Sequence, residues 1–235
     1  MDYFSTYLIY ALIPMMLGLW AQYKVSSTFS KYSKVRTKTG ITGAEAARKM
    51  LNDKGLTDVS IEPVSGTLSD HYDPRKRVLR LSEGVYTSNS VAAVGVATHE
   101  AGHAYQHADQ YSWLMLRTSI VPLVSFGSRL GPILFMVGLI LTGMIGNFGY
   151  QIAYAGVAIF ALTAIFSLIT LPVELNASKR ARQWIANTGV IYQDEQDGAS
   201  KVLSAAAMTY VAAAIQSISN VLYYLSILNR RNRRR

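Results

Sequence analysis

Apolar residues in this chain gather into long, nearly charge-free blocks separated by segments of mixed character. The first block runs from Tyr3 to Tyr23, the second from Ile120 to Ile145 with Arg129 as its one interruption, and the third from Tyr150 to Pro172 with no charge. Each is long enough as a helix to cross about 30 Å of hydrocarbon. A buried core helix would account for one such block but not for three, so the pattern predicts an integral membrane protein. The first block opens with Phe4 and closes on Trp20 and Tyr23, aromatic residues suited to an interface. It has neither a basic leader nor a clear small-residue cleavage site, and is read as an anchor rather than a signal peptide. Arg129 lies near the start of its block, where it can snorkel to the headgroups; alternatively the span begins near Leu130.

A fourth stretch, Leu203 to Leu228, reads differently. Leu203, Ala207, Val211, Ile215, Ile218, Leu222 and Leu225 make a helical stripe, with Ser204, Gln216, Ser219, Asn220 and Ser226 mostly elsewhere. It is expected to pack on the catalytic domain or lie in the interface, a fourth crossing being the alternative.

The segment between the first two blocks has the periodicities of a small folded domain. Thr42-Gly-Ala-Glu45 is a capping box, followed by Ala46, Ala47, Met50 and Leu51 at helical spacing and by Gly55 as a stop. Val59 to Val64 reads as a strand. Residues 67–72 and 77–82 read as the arms of a hairpin around the turn Asp73-Pro-Arg-Lys76. Its second arm is expected either to offer a free edge for an extended peptide or simply to cover the core. Ser90 is placed to cap a further helix, with Val91, Val94 and Ala101 as its apolar stripe.

That last helix carries the chemistry. Residues 99–103 read His-Glu-Ala-Gly-His. On a helix, His99 and His103 are one turn apart on one face and can grip one metal ion, while Glu100 is placed to take a proton from a bound water. The chain has no cysteine, so no disulfide framework is possible and a zinc site must use His and carboxylate ligands. His107 continues the spacing of four but lies about 11 Å from His99 on a straight helix, too far to share the ion. It is read as a cap or as support for a ligand. Glu174, just beyond the third block, is the candidate third ligand, since a hairpin of spans returns its two ends to one side. The alternative is a solvated glutamate at an interfacial helix start.

Charge sets the orientation. Lys24, Lys31, Lys34, Arg36 and Lys38 follow the first block, Lys179, Arg180 and Arg182 follow the third, and the hairpin turn 146–149 is uncharged. The positive-inside rule then puts the N-terminus outside and the catalytic segment in the cytoplasm. The net charge of +9 is explained by anionic lipid at that face; no nucleic-acid motif accompanies it.

The HExxH motif, the hydrophobic hairpin and Pro172-Val-Glu-Leu-Asn-Ala-Ser-Lys-Arg-Ala181 together resemble the bacterial membrane-bound neutral zinc metallopeptidases. The pieces Leu19-Trp-Ala-Gln-Tyr, Thr42-Gly-Ala-Glu-Ala-Ala, Asp70-His-Tyr-Asp-Pro-Arg and Leu81-Ser-Glu-Gly-Val-Tyr extend the likeness over nearly the whole chain. A more distant similarity is to the heat-shock membrane protease HtpX and the CAAX prenyl proteases. In those enzymes the glutamate of a downstream Glu-x-x-x-Asp is the third zinc ligand, which implies that role for Glu174. Ser178 stands where the aspartate would be, so the usual hydrogen bond to a ligand is not assured, and Asn176 is another polar contact in reach.

The expected fold class is mainly α: integral membrane helices with a small cytoplasmic α+β zincin-like catalytic domain, in which the HExxH helix packs with a short β-hairpin. The expected divisions are an N-terminal transmembrane helix (1–23), a catalytic segment (24–119), a transmembrane hairpin (120–172), and a third-ligand helix with a C-terminal hydrophobic helix and basic tail (173–235). The expected function is a zinc-dependent membrane endopeptidase with one catalytic zinc, acting on membrane or membrane-associated proteins in a bacterial cell membrane. His71 or Tyr72 is expected to stabilise the transition state. The alternatives are a non-catalytic zinc-binding scaffold or assembly factor, and a zinc enzyme cutting another bond such as a lipid amide.

Overall fold

A computed structural model of the chain describes residues 3–233. It is mainly helical and divides into two compact units, one built from residues 1–20, 116–171 and 210–235, the other from 21–115 and 172–209.

The first unit is apolar. Its chain enters through helix α1 (Tyr3–Tyr7), a π-helical turn (Leu8–Leu12) and the start of α2 (Ile13–Tyr32). It is completed by most of α6 (Ser112–Ile145), by α7 (Asn147–Phe160), by α8 (Leu162–Thr188) as far as Leu171, and by α9 (Gln193–Arg233) from Tyr210 onward. Four helical stretches, Phe4–Tyr32, Ser112–Ile145, Asn147–Thr188 and Gln193–Arg230, are long and apolar enough to cross a membrane. The expectation that residues 203–228 pack on the catalytic domain therefore holds only to Thr209. From Tyr210 the helix joins the apolar unit, where Tyr224 stacks on Phe135 with ring centroids 4.4 Å apart and Tyr154 donates to Asn229 Oδ1 at 3.0 Å. The stripe read from the sequence is thus shared between two partners. Small residues let α6 and α7 pack backbone to backbone: a Cβ on Gly138 would lie 2.3 Å from the Ala153 nitrogen, and one on Gly156 2.4 Å from that of Phe135. Gly146, at φ +59°, makes the reversal between them in one residue.

The second unit carries the sheet. Thr42 caps α3 (Gly43–Asp53) through the reciprocal box read from the sequence, its hydroxyl accepting from the Glu45 N–H at 3.2 Å while Glu45 Oε2 accepts from the Thr42 N–H at 2.8 Å. Gly55 ends that helix at φ +75°. Strands β1 (Ser60–Val64), β2 (His71–Asp73) and β3 (Val78–Ser82) form a sheet of order β1-β3-β2, with β1 parallel and β2 antiparallel to β3. The hairpin turn forms because Asp73 Oδ1 accepts from the N–H groups of Arg75 and Lys76, at 3.0 and 3.2 Å. The second arm has no free edge: β3 is the central strand, because Val59–Val64 returns to pair on its other side. Its alternate residues Leu79 and Leu81 are fully buried, among Met50, Leu51 and Val85 of the neighbouring helices α3 and α4 (Glu83–Tyr86). Helix α5 (Val91–Ala108) packs into this core, capped by Ser90 as predicted.

Candidate metal centre

Small residues bring the ligands together. Ala93, Ala97 and Ala101 of α5 are buried to zero exposure, and Gly102 lies so close to α8 that a Cβ there would sit 2.8 Å from the Ala177 carbonyl oxygen. Ala177 is three residues from Glu174, so this close approach carries the carboxylate to the two histidines. Glu174 Oε2 lies 3.2 Å from His99 Nε2 and 3.3 Å from His103 Nε2, and the three ligand atoms are all within 4.8 Å of one another. Glu174 is 2% exposed and each histidine 9%. In a tetrahedral zinc site with bonds of about 2.05 Å, neighbouring donor atoms are about 3.3 Å apart. The donor set fits zinc in kind, and the two Glu174–histidine separations match that spacing.

The other nitrogen of each imidazole is also engaged. His99 Nδ1 meets Ser178 Oγ at 3.0 Å, and His103 Nδ1 meets Gln106 Oε1 at 2.9 Å. An acceptor at Nδ1 keeps the proton there and leaves Nε2 free for a metal. Ser178 thus reaches His99, the contact that the sequence left unassured. Asn176 does not touch a histidine; its Oδ1 accepts from Gln106 Nε2 at 3.0 Å and from Arg180 Nε at 2.8 Å. Gln106 also donates to the Val173 carbonyl at 2.7 Å, tying α5 to α8 beside the third ligand. The sequence reading missed Gln106. Its signal was a residue three beyond His103, hence on the metal face of the same helix.

Burial alone would lower the His103 imidazole, but the hydrogen bond and charge of Glu174, with the charge of Glu100, hold it above its ordinary range. A metal entering the site competes with a proton there. Glu100 is half-buried, lies outside the ligand group and is near enough for its charge to act on His103. His107 is not brought to the ligands: its Nδ1 meets the Tyr72 hydroxyl at 3.0 Å. Burial raises the Tyr72 phenol above its usual value. Side chains alternate along β2, so Tyr72 packs on the core while exposed His71 faces away and bonds the Ser69 carbonyl at 2.8 Å.

Two substitutions test this support. Gly102→Ala should destabilise the fold by about 1–3 kcal/mol, because the Ala177 backbone cannot yield as a flexible side chain would; this outweighs the roughly 1 kcal/mol gained in helix propensity. Zinc retention should fall with it. Gly95→Ala is the control: its Cβ meets Ala199 at 3.5–3.6 Å, ordinary contact, and equilibrium dialysis should show zinc binding unchanged. Gln106→Leu keeps the volume but removes the partner of His103 Nδ1 and takes one donor each from the Val173 carbonyl and Asn176 Oδ1. A zinc affinity about 10- to 100-fold weaker is expected, and unchanged affinity would remove Gln106 from the site.

Comparison with known proteins points to a zinc peptidase family. Residues 7–229 match the model of a family described as "Putative neutral zinc metallopeptidase". The chain is 51% identical over 211 residues to the "Putative membrane protease YugP" of Bacillus subtilis (strain 168), covering 90% of this chain and 91% of the relative. No solved structure matches it.

Proposed function

The chain belongs to the neutral zinc metallopeptidase family, and on that premise we propose that it is a membrane endopeptidase whose zinc is held by His99, His103 and Glu174. The observation that carries the reading is the convergence of those three donors, with the Glu174 oxygen 3.2 and 3.3 Å from the two imidazole nitrogens and Glu100 beside them but outside the ligand set. Bound there, zinc would supply Lewis-acid polarisation of a peptide carbonyl and acidify water. Everything else falls to the protein. Ser178 and Gln106 fix the imidazoles through Nδ1. The Glu100 carboxylate takes the proton of the attacking water and returns it to the nitrogen of the departing amine. The Tyr72 hydroxyl, kept protonated by burial and facing α5, is the donor we assign to developing negative charge; His71 faces the other way. A closed structural zinc site would need a fourth protein ligand, and no further His, Cys, Asp or Glu joins the group among the described residues.

We place the catalytic unit at the cytoplasmic face, because residues 21–115 and 172–209, which make it up, hold most of the Lys and Arg. Peptide bonds of membrane or membrane-associated proteins are the substrates such a position offers.

The test is proteolysis by the detergent-purified protein. It should cut an unfolded protein substrate, lose that activity to a chelator, and regain it with one equivalent of zinc. A chelated protein that cuts at full rate would overturn the proposal.

A further inference from the structure

One charge in the apolar unit has no counterpart among the described residues. Arg129 sits midway along α6, exposed, and its guanidinium makes no hydrogen bond or ion pair among the described residues. The packed side of α6 at this level is fixed by glycines: a Cβ on Gly127 would lie 2.8 Å from the Ile159 carbonyl oxygen, and one on Gly131 2.7 Å from Phe160 Cβ. Arg129 lies between these two in sequence and therefore on the opposite face. There it shares a groove of about 360 Å³ with Ser125, Phe126, Leu130 and Ile133, residues spaced one or two turns apart along one stripe. Phe126 and Ile133 are 61% and 59% exposed, so the groove opens outward.

The depth is informative. Sixteen residues separate Arg129 from the end of α6 at Ile145, about 24 Å at 1.5 Å per residue. Against a hydrocarbon thickness of about 30 Å, this brings Arg129 within side-chain reach of the headgroups of the leaflet opposite the Gly146 turn. Among the described residues this unit offers no counter-ion, since residues 3–20, 116–171 and 210–233 contain no aspartate or glutamate. The same helices of a second copy would offer none either. We propose that this groove binds an anionic phospholipid, its phosphate held by the Arg129 guanidinium and the Ser125 hydroxyl and an acyl chain lying along Phe126, Leu130 and Ile133. Zwitterionic lipid is disfavoured because its phosphate is already paired with its own cation. The inference does not depend on the peptidase reading.

The experiment uses the full chain in detergent, with phosphatidylglycerol or phosphatidylcholine added and bound lipid counted by native mass spectrometry. Wild type should retain phosphatidylglycerol in preference, and Arg129→Gln should reduce retention about fivefold, to the phosphatidylcholine level. Arg129→Lys should keep most of it. Zinc content reports whether each variant is folded; should Arg129→Gln fail that check, Leu130→Trp, which fills the groove and spares the charge, must show the same loss. Three results would overturn the proposal. These are equal retention by wild type and a folded variant, displacement of the lipid by matched inorganic phosphate, and loss of an oligomer on Arg129→Gln with lipid binding unchanged.

Discussion

Glu174→Ala should purify as a folded membrane protein that no longer holds zinc. The wild-type carboxylate oxygen lies 3.2 and 3.3 Å from the two Nε2 atoms, and removing it leaves a two-histidine site. Zinc sites with a full ligand set are worth about 10–16 kcal/mol. If one of three ligands carries roughly a third of that, its loss weakens binding by about a thousandfold. The fold should survive, because Val173, Ala177 and Ala181 still present buried apolar surface on the same stretch of α8, and Gln106 still donates to the Val173 carbonyl. Without its carboxylate partner, His103 loses the influence that holds its imidazole above the ordinary range and reverts toward the neutral form that burial favours. Competition against a chelator of known affinity, read beside helicity and elution volume, separates loss of metal from loss of fold. Wild-type zinc affinity in this variant would remove Glu174 from the ligand set.

How far the sequence foretold this site depends on the range of each interaction. His99, Glu100 and His103 were legible because one helical turn fixes their relation. Glu174 was legible only by counting crossings, since two apolar blocks joined by four uncharged residues return the chain to one side. The Gly102–Ala177 approach that seats it could not be read, because nothing local marks which alanine a glycine will meet. The same limit explains the sheet. The hairpin turn at Asp73 is local chemistry and was correct, whereas the parallel pairing of Ser60–Val64 with Val78–Ser82 is non-local and decides between the two roles left open for the second arm, making it a central strand over the core. The long helix α9 shows a different limit: one continuous stripe serves the folded unit as far as Thr209 and the apolar unit beyond it. Periodicity reports that a face is buried, not what buries it.

Glu100→Gln should separate metal binding from chemistry. The substitution keeps the side chain's size and its half-buried place on α5 while removing the charge and the basic lone pairs. Glu100 is not among the three donors, so zinc content should stay at one per chain, with affinity changed only slightly by the lost charge near His103. Turnover should fall about 10²- to 10⁴-fold, the range supplied by a positioned general base, or about 3–5 kcal/mol of barrier at 1.36 kcal/mol per decade. KM should stay near its wild-type value, because the amide occupies the same space and the proton transfer is made only in the transition state. The contrast with Glu174→Ala is what gives the pair its force: one variant loses metal and activity together, the other activity alone. A Glu100→Gln protein that binds zinc and cuts at the wild-type rate would show that the base lies elsewhere. A variant that loses zinc as well would make Glu100 part of the metal site, and the division of labour proposed for the HExxH helix would have to be redrawn.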